Sequence, residues 1–431
     1  MAKEQTEGVF VFEPVEQSPA GSVLYDEHLK LTDKSHIAEF AGYLMPLWYS
    51  SISAEHAAVR RQAGVFDCTH MGALEVCGTD AEGFLNAVTT NDVSALNIGA
   101  AQYSYILDAA GNVLDDIIVY RRDTNKFIVV VNAANEPKIR AYLAAVQGGK
   151  AVLDPAKPDR PFDCAQGRQI KLASVRNMRD TRGGQDCRVD IALQGPASVK
   201  VISKLADDKS VERQADESKS FTFFEGRLAG IDCIISRTGY TGAKVGFELF
   251  VHPDKAVQLW RRLLEAGALP CGLGARDSLR IEAGLPLYGH ELAGPYKISP
   301  FEAGYGWAVK LDKKFFIGKA AINEIAKNFD MKVARVQLPG GKGVRPARQA
   351  DAVTSDGACI GWILSSATAG NRQIALVYMD KDKAKEGDSA GVYYLARSES
   401  QKNKGRKQTV ERGEQLKADV NGKIVSRFEK F

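Results

Sequence analysis

Short runs of β-branched and aromatic residues alternate with turn residues in the first third of the chain. Residues 103–107, 113–120 and 127–131 each have the composition of a β-strand, and the segments between them carry Asp, Asn and Gly. A helical pattern follows over 137–146. Three consecutive strands followed by a helix predict an α+β fold with an antiparallel sheet.

The later part of the chain has a different pattern. An amphipathic helix is predicted over 254–266, and strands are predicted over 332–337, 359–364 and 374–379. We therefore expect a mainly β domain from about residue 325 to the end.

Two shorter segments give weaker patterns. Ile37–Phe40 follows Asp33 and Ser35, which are possible N-caps, and this predicts a helix. Residues 148–188 are rich in Gly, Pro, Asp and Arg and have little periodicity, which predicts a surface loop or insertion.

Two adjacent carboxylates, Asp115 and Asp116, interrupt the apolar run 113–120. Neighbouring side chains on a strand point to opposite faces, so one of the two faces inward. An inward carboxylate is costly unless it is hydrogen-bonded, paired or used, and burial raises its pKa. Two interpretations remain open at this point: a group that orients or accepts a proton from a bound amine, or an Asp that closes a turn.

Further candidates lie at turns and helix starts. Tyr240 and Glu248 flank a turn with Gly239 and Gly242, although Glu248 also fits a solvent-facing position on a strand. Asn132 ends the third predicted strand and could bind the edge of a heterocycle or cap the next helix.

Arg276 follows Gly272-Leu273-Gly274 at a predicted helix start, where backbone N–H groups favour anions. An Arg adds a bidentate donor there. The alternative is an ion pair with Asp277 or Glu282. The glycines match neither a P-loop nor a dinucleotide fingerprint, which argues against nucleotide binding.

Length and charge narrow the class of protein. The chain has 431 residues, which suggests two or three domains. A net charge of +4 is too small for this length to argue for nucleic-acid binding. No apolar run is long enough to cross a bilayer, and the polar start lacks the pattern of a secretory signal. We expect a cytoplasmic location, without nucleic-acid or membrane partners.

The cysteines and histidines do not suggest a metal site. The seven cysteines are dispersed without a C-x-x-C pair, and the six histidines form no H-x-x-x-H pattern. This is typical of reduced thiols, and we expect no bound metal.

Several motifs, in order from about residue 22 to 380, resemble those of one known family. They are Phe40-Ala41-Gly42, Met45-Pro46, Val65-Phe66-Asp67, His70-Met71-Gly72, Thr90-Asn91-Asp92, Leu114-Asp115-Asp116, Val131-Asn132-Ala133-Ala134-Asn135, Leu193-Gln194-Gly195-Pro196, Ser236-Arg237-Thr238-Gly239-Tyr240-Thr241-Gly242, Gly246-Phe247-Glu248-Leu249, Gly272-Leu273-Gly274-Ala275-Arg276-Asp277 and Trp307-Ala308-Val309-Lys310. The family is the aminomethyltransferases, or T-proteins, of the glycine cleavage system.

The resemblance implies a fold and an activity. The fold is a three-domain cloverleaf around a central folate channel, with two interleaved α+β domains over 22–324 and a β-barrel-like domain over 325–431. The activity moves an aminomethyl carbon from the lipoylated H-protein to tetrahydrofolate as co-substrate and releases ammonia. Asp116 would be the essential carboxylate, which makes Asp115 the outward partner.

The resemblance also assigns the folate contacts. Glu248 would bind the pterin ring, and Met71 and Val130 would line the cavity. The other implied folate-contacting residues are Tyr103, Asn132, Tyr240 and Arg276.

Departures from the family leave other functions open. The family usually has Trp where Tyr43 stands and Glu where Ala243 stands, and the match at the C-terminal end is poor. The same fold serves tetrahydrofolate-dependent demethylases that act on O-, S- or N-methyl donors, and also non-catalytic folate-binding proteins. The presence of Asp116 favours an enzyme, because a pure binding protein has no need of it.

Overall fold

The strands form three open sheets and one closed barrel, and most pairs are antiparallel. The computed structural model describes residues 10–14, 18–151, 173–341, 343–429 and 431. Within these residues, and in the order of pairing, the three-stranded sheet contains Ala20–Gly21, Tyr43–Pro46 and Ile37–Phe40, and the five-stranded sheet contains Ala101–Leu107, Val113–Asp123, Lys126–Val131, Gly72–Cys77 and Ser174–Asn177. The six-stranded sheet contains Phe223–Leu228, Ile231–Ser236, Gly246–Val251, Val189–Gln194, Gly64–Asp67 and Leu269–Pro270. The barrel contains Met331–Pro339, Arg372–Asp380, Ala358–Ala369, Ala352–Ser355, Ser389–Tyr393 and Val420–Val425.

Helices surround these sheets, which confirms the predicted α+β class. The α-helices are Tyr25–Leu31, Ile52–Arg61, Ala81–Val88, Glu136–Gln147, Ser198–Leu205, Lys209–Glu217, Pro253–Glu265, Leu273–Ala283, Lys319–Asn328 and Glu399–Asn403. Short 3-10 turns are Lys34–His36, Ala133–Asn135, Thr181–Asp186, Gly306–Ala308 and Lys381–Lys383.

The five-stranded and six-stranded sheets pack face to face. Tyr120 of the five-stranded sheet contacts Phe223 and Phe250 of the six-stranded sheet, with ring centroids 5.7 and 5.3 Å apart. The outer face of the five-stranded sheet is covered by the helices Ala81–Val88 and Glu136–Gln147. Both faces of this sheet are therefore buried, unlike those of a sheet that faces water on one side.

The C-terminal barrel confirms the predicted β-rich end of the chain. It closes because Met331–Pro339 pairs with Val420–Val425 as well as with Arg372–Asp380. One apolar cluster joins Leu364 and Leu376 of the barrel to Tyr105 of the five-stranded sheet and to Ile281. The barrel thus packs against the elements that carry the predicted site residues.

Two of the sequence predictions for shorter segments are wrong. Ile37–Phe40 is a strand paired with Tyr43–Pro46, because Asp33 caps only the 3-10 turn Lys34–His36. The predicted loop 148–188 contains the strand Ser174–Asn177, which pairs with Gly72–Cys77. Residues 152–172 of the predicted loop lie outside the described residues.

Helices long and apolar enough to cross a membrane do not occur in the described part of the chain.

Candidate functional site

The two adjacent carboxylates lie in the strand Val113–Asp123, here named the carboxylate strand. Asp115 is 0% exposed and shares the helix-covered face of the sheet with Ile117, whereas Asp116 is half-buried and shares the opposite face with Ile118. The prediction that Asp115 is the outward partner is therefore wrong. Because both faces of the sheet are covered, strand alternation turns each carboxylate towards a different part of the interior.

Asn132 links the two carboxylates. Its Nδ2 lies 2.8 Å from Oδ1 of Asp115 and 2.8 Å from Oδ1 of Asp116, so each amide hydrogen can serve one carboxylate. Its backbone N–H also donates to Oδ2 of Asp115 over 3.0 Å. The Asn132 side chain makes no capping hydrogen bond to the turn Ala133–Asn135, which removes the alternative interpretation of this residue.

Tyr103 completes the hydrogen bonding of Asp116. The hydroxyl group donates to Oδ2 of Asp116 over 2.8 Å. The two residues come together because Tyr103 lies opposite Ile118 and Tyr105 opposite Asp116, so the Tyr103 ring reaches Asp116 diagonally across the strand pair. Both oxygens of Asp116 are therefore held by neutral donors.

An aromatic cluster lies beside Asp116. The Tyr103 ring is 5.5 Å from Tyr305 and 6.0 Å from Trp307, and the Tyr305 ring is 5.0 Å from Phe428. Trp307 is 53% exposed, so this cluster reaches the surface. An exposed group of flat side chains next to a half-buried carboxylate suits a planar ligand that enters from solvent.

The local electrostatics favour proton retention on the carboxylate pair. Burial raises the pKa of both Asp115 and Asp116, and the charge of Asp116 is the second cause for Asp115. The hydrogen bonds from Asn132 and Tyr103 act in the opposite direction. The two groups titrate as a pair and share one proton over a range above that of free carboxyl groups.

Glu248 forms the centre of a second polar group. It is only 8% exposed, so its alternative interpretation as a solvent-facing residue is wrong. Tyr120 donates to its Oε2 over 3.1 Å, and Thr238 donates to the same oxygen. Oε1 accepts no hydrogen bond from the described residues and is not sealed from solvent. Glu248 thus has one anchored oxygen and one available oxygen.

Arg276 lies near Glu248, in the first turns of the helix Leu273–Ala283, here named the site helix. Its guanidinium lies 5.2 Å from the centre of the Tyr240 ring, and Nη1 donates to Sγ of Cys68 over 3.1 Å. Nε and Nη2 donate to none of the described residues and remain available for an oxygen of a ligand.

The alternative partners of Arg276 are used elsewhere. Asp277 pairs with Arg280 over 2.8 Å, and Glu282 pairs with Arg60 over 2.9 Å. Tyr240 is fixed independently, since its hydroxyl donates to the Pro286 carbonyl over 2.5 Å.

Tyr120 connects the two polar groups. It follows Asp116 by four positions on the same face of the carboxylate strand and donates to Glu248 on the facing sheet. Met71 and Val130 lie in the apolar cluster beneath it. Tyr120 therefore joins the two polar groups across the interface between the two sheets.

Several residues at this site were not assigned a role from the sequence. Tyr305 and Phe428 lie in the aromatic cluster, and Thr238 and Tyr120 anchor Glu248. Phe428 is 123 residues beyond Tyr305, so local sequence gives no signal for this contact. Trp307 was part of a family motif, but a motif match does not say what a residue touches.

Comparison with known proteins identifies similar chains. Residues 24–313 match the family model described as the GCVT N-terminal domain. The chain is 40% identical over 331 residues to an aminomethyltransferase of Exiguobacterium sibiricum, covering 76% of this chain and 80% of that one. It is 39% identical over 361 residues to an aminomethyltransferase of Thermus thermophilus, covering 83% of this chain and 90% of that one.

A solved structure agrees with the overall fold. The glycine cleavage system aminomethyltransferase T from Bartonella henselae superposes with a TM-score of 0.72 and is 27% identical in sequence. The match covers 95% of this chain and 97% of that one.

Proposed function

Because the chain belongs to the aminomethyltransferase (T-protein) family of the glycine cleavage system, we propose that it moves the aminomethyl carbon of the lipoylated H-protein to tetrahydrofolate and releases ammonia. The observation that carries the proposal is Asp116, a half-buried carboxylate held by Tyr103 and Asn132 beside an exposed aromatic cluster. A carboxylate in this position can orient and exchange a proton with a nitrogen of a bound substrate.

The available polar atoms fit a pterin ring. Oε1 of Glu248 is an unused acceptor, which suits the adjacent N–H donors along one edge of a pterin. Nε and Nη2 of Arg276 are unused donors, which suit a carbonyl oxygen. Met71 and Val130 supply an apolar wall for the faces of the ring.

Tetrahydrofolate supplies the nitrogen nucleophiles that accept the carbon. The residues of this chain bind and orient tetrahydrofolate, and Asp116 exchanges a proton with one of its nitrogens. Glu248 and Arg276 fix the ring, whereas Tyr103 and Asn132 hold Asp116 in one orientation. The negative charge that Asp116 carries when ionised also stabilises a carbon that becomes positively charged during transfer.

The direct test uses purified protein, tetrahydrofolate and aminomethyl-loaded H-protein. We expect methylene-tetrahydrofolate and ammonia to form in equal amounts, at a rate that saturates with H-protein. The control is H-protein that lacks the lipoyl group, which supplies no carbon. If tetrahydrofolate is converted only when an O-, S- or N-methyl compound replaces H-protein, the chain is a demethylase and the proposed donor is wrong.

Replacing Glu248 by glutamine is expected to weaken tetrahydrofolate binding by about 10- to 100-fold, because a charge-assisted hydrogen bond contributes about 1.5–3 kcal/mol. Binding is measured by quenching of tryptophan fluorescence. The matched control is Glu265→Gln, since Glu265 is 61% exposed on a helix away from the site. Unchanged affinity in the Glu248 variant would remove this residue from the proposed folate site.

A further inference from the structure

Among the described residues, the hydrogen bonds to Asp115 come only from N–H groups. Its Oδ1 accepts from Nδ2 of Asn132 over 2.8 Å and from Nδ2 of Asn135 over 2.6 Å, and its Oδ2 accepts from the backbone N–H of Asn132 over 3.0 Å. None of these nitrogens can accept a proton in return. A proton placed on Asp115 would lack an acceptor among these contacts, so they favour its ionised form.

The hydrogen bonds to Asp116 differ in one respect. Its Oδ1 accepts from Asn132, but its Oδ2 contacts the Tyr103 hydroxyl, which can either donate or accept. When Asp116 is ionised, Tyr103 donates to it. When Asp116 is protonated, the hydroxyl of Tyr103 can turn and accept. Both protonation states of Asp116 are therefore satisfied by the same neighbours.

Burial raises the pKa of Asp115, but two further features of its surroundings favour its negative charge. It lies at the turn that starts the helix Glu136–Gln147, where N–H groups and the helix dipole stabilise an anion. Among the titratable groups around the pair, Lys138 of that helix interacts favourably with Asp115 and donates to the Tyr288 hydroxyl over 3.0 Å.

The remaining titratable neighbours are one cation and several tyrosines. Arg427 is the cation and interacts with Tyr105 and Tyr305, and Tyr240 interacts with Asp116. Tyr288 interacts with the charges of both carboxylates and of Asp108, while Tyr105 and Tyr305 lie on the Asp116 side. Burial raises the pKa of each of these tyrosines, so they are neutral near pH 7.

We propose that Asp115 is a positioning residue: an ionised buried carboxylate that orients Asp116 through Asn132 and whose charge keeps a proton on Asp116 near neutral pH. This deepens the proposed function and rests on it. The transfer breaks the C–N and C–S bonds of the lipoyl-bound aminomethyl group and joins its carbon to two folate nitrogens. The two protons that these nitrogens give up end on the released ammonia and on the lipoyl thiol. A carboxyl group that is satisfied in both states suits such an exchange.

The proposal predicts a change in the pH at which Asp116 loses its proton. Infrared difference spectra of the protein without substrate, recorded against pH, follow the protonated carboxyl group, and the band assigned to Asp116 is the one absent in Asp116→Asn. In Asp115→Asn this titration is expected to move to lower pH by about one unit, because a neighbouring negative charge is lost. The acid limb of the kcat profile moves in the same direction.

A residue that acts only in folding would give a different result. Asp115→Asn would then reduce stability and activity without moving the titration of Asp116, and this outcome in a folded variant would overturn the proposal. Circular dichroism establishes whether the variant is folded. Because the infrared titration needs no H-protein or folate, it distinguishes failure of this proposal from failure of the proposed reaction.

A second variant keeps the test valid if Asp115→Asn does not fold. Asn135→Ala removes one of the three N–H donors to Asp115 and keeps the backbone hydrogen bond from Asn135 to the Asn132 carbonyl. The ionised form of Asp115 becomes less favourable, so the proton moves partly to Asp115. The titration of Asp116 is expected to shift in the same direction by a smaller amount, and no shift would contradict the proposal.

Discussion

Replacing Asp116 by asparagine is expected to lower kcat for aminomethyl transfer by about 1,000-fold, while the affinity for tetrahydrofolate changes by less than about tenfold. Asparagine keeps the size of the side chain and can still contact Tyr103 and Asn132, but it neither carries a negative charge nor exchanges a proton. The proposed folate contacts of Glu248 and Arg276 are left intact. Steady-state rates and fluorescence binding measurements separate the two effects.

The matched control for this prediction is Asp232→Asn. Asp232 has a side chain that is 85% exposed in the six-stranded sheet, so the same chemical change is made away from the site. We expect it to leave both kcat and affinity within about twofold of the parent protein. If Asp116→Asn retains a tenth or more of the parent kcat, Asp116 is not the proton-exchanging group.

Three strands of the five-stranded sheet were predictable because their signal is local: Ala101–Leu107, Val113–Asp123 and Lys126–Val131. Each has β-branched residues over its full length and turn residues at its ends, and the observed bounds differ by at most three residues from the predicted ones. Ile37–Phe40 and Ser174–Asn177 were missed because they are short and depend on pairing with other strands. Their tertiary contacts outweigh their local preferences.

The orientation of the carboxylate pair illustrates a further limit. Alternation places Asp115 and Asp116 on opposite faces, and this part of the prediction is correct. The pattern does not say whether one face is exposed, which depends on helices and on a second sheet that are distant in sequence. The prediction assumed that one face of the sheet is exposed to solvent and therefore placed Asp115 outward, whereas its side chain is 0% exposed.

The ion pair between Arg280 and Glu291 is a second feature that the sequence did not reveal. Arg280 of the site helix is 1% exposed and Glu291 is 0% exposed, and Nη1 of Arg280 lies 2.5 Å from Oε2 of Glu291. Glu291 also accepts from the backbone N–H of Leu287 over 3.1 Å. The segment between these residues contains Pro286, the acceptor of the Tyr240 hydroxyl, so the pair supports one wall of the site.

Loss of the arginine from this pair should therefore be costly. Arg280→Met leaves the buried carboxylate of Glu291 without its ion-pair partner, and its Oε1 already lacks a hydrogen-bond partner among the described residues. We expect the free energy of unfolding to fall by about 3–5 kcal/mol, which is typical for a buried pair broken on one side. Urea unfolding, followed by circular dichroism and tryptophan fluorescence, measures the change.

The double variant Arg280→Met/Glu291→Gln tests the physical reason for this loss. The amide removes the unpaired charge, and its oxygen can still accept from Leu287, so no backbone N–H group is left without a partner. If the buried charge causes the instability, the double variant regains most of the lost free energy. If it remains as unstable as Arg280→Met, then the loss comes from the missing packing and hydrogen bonds of the guanidinium, including its 3.0 Å contact with Ser365 of the barrel.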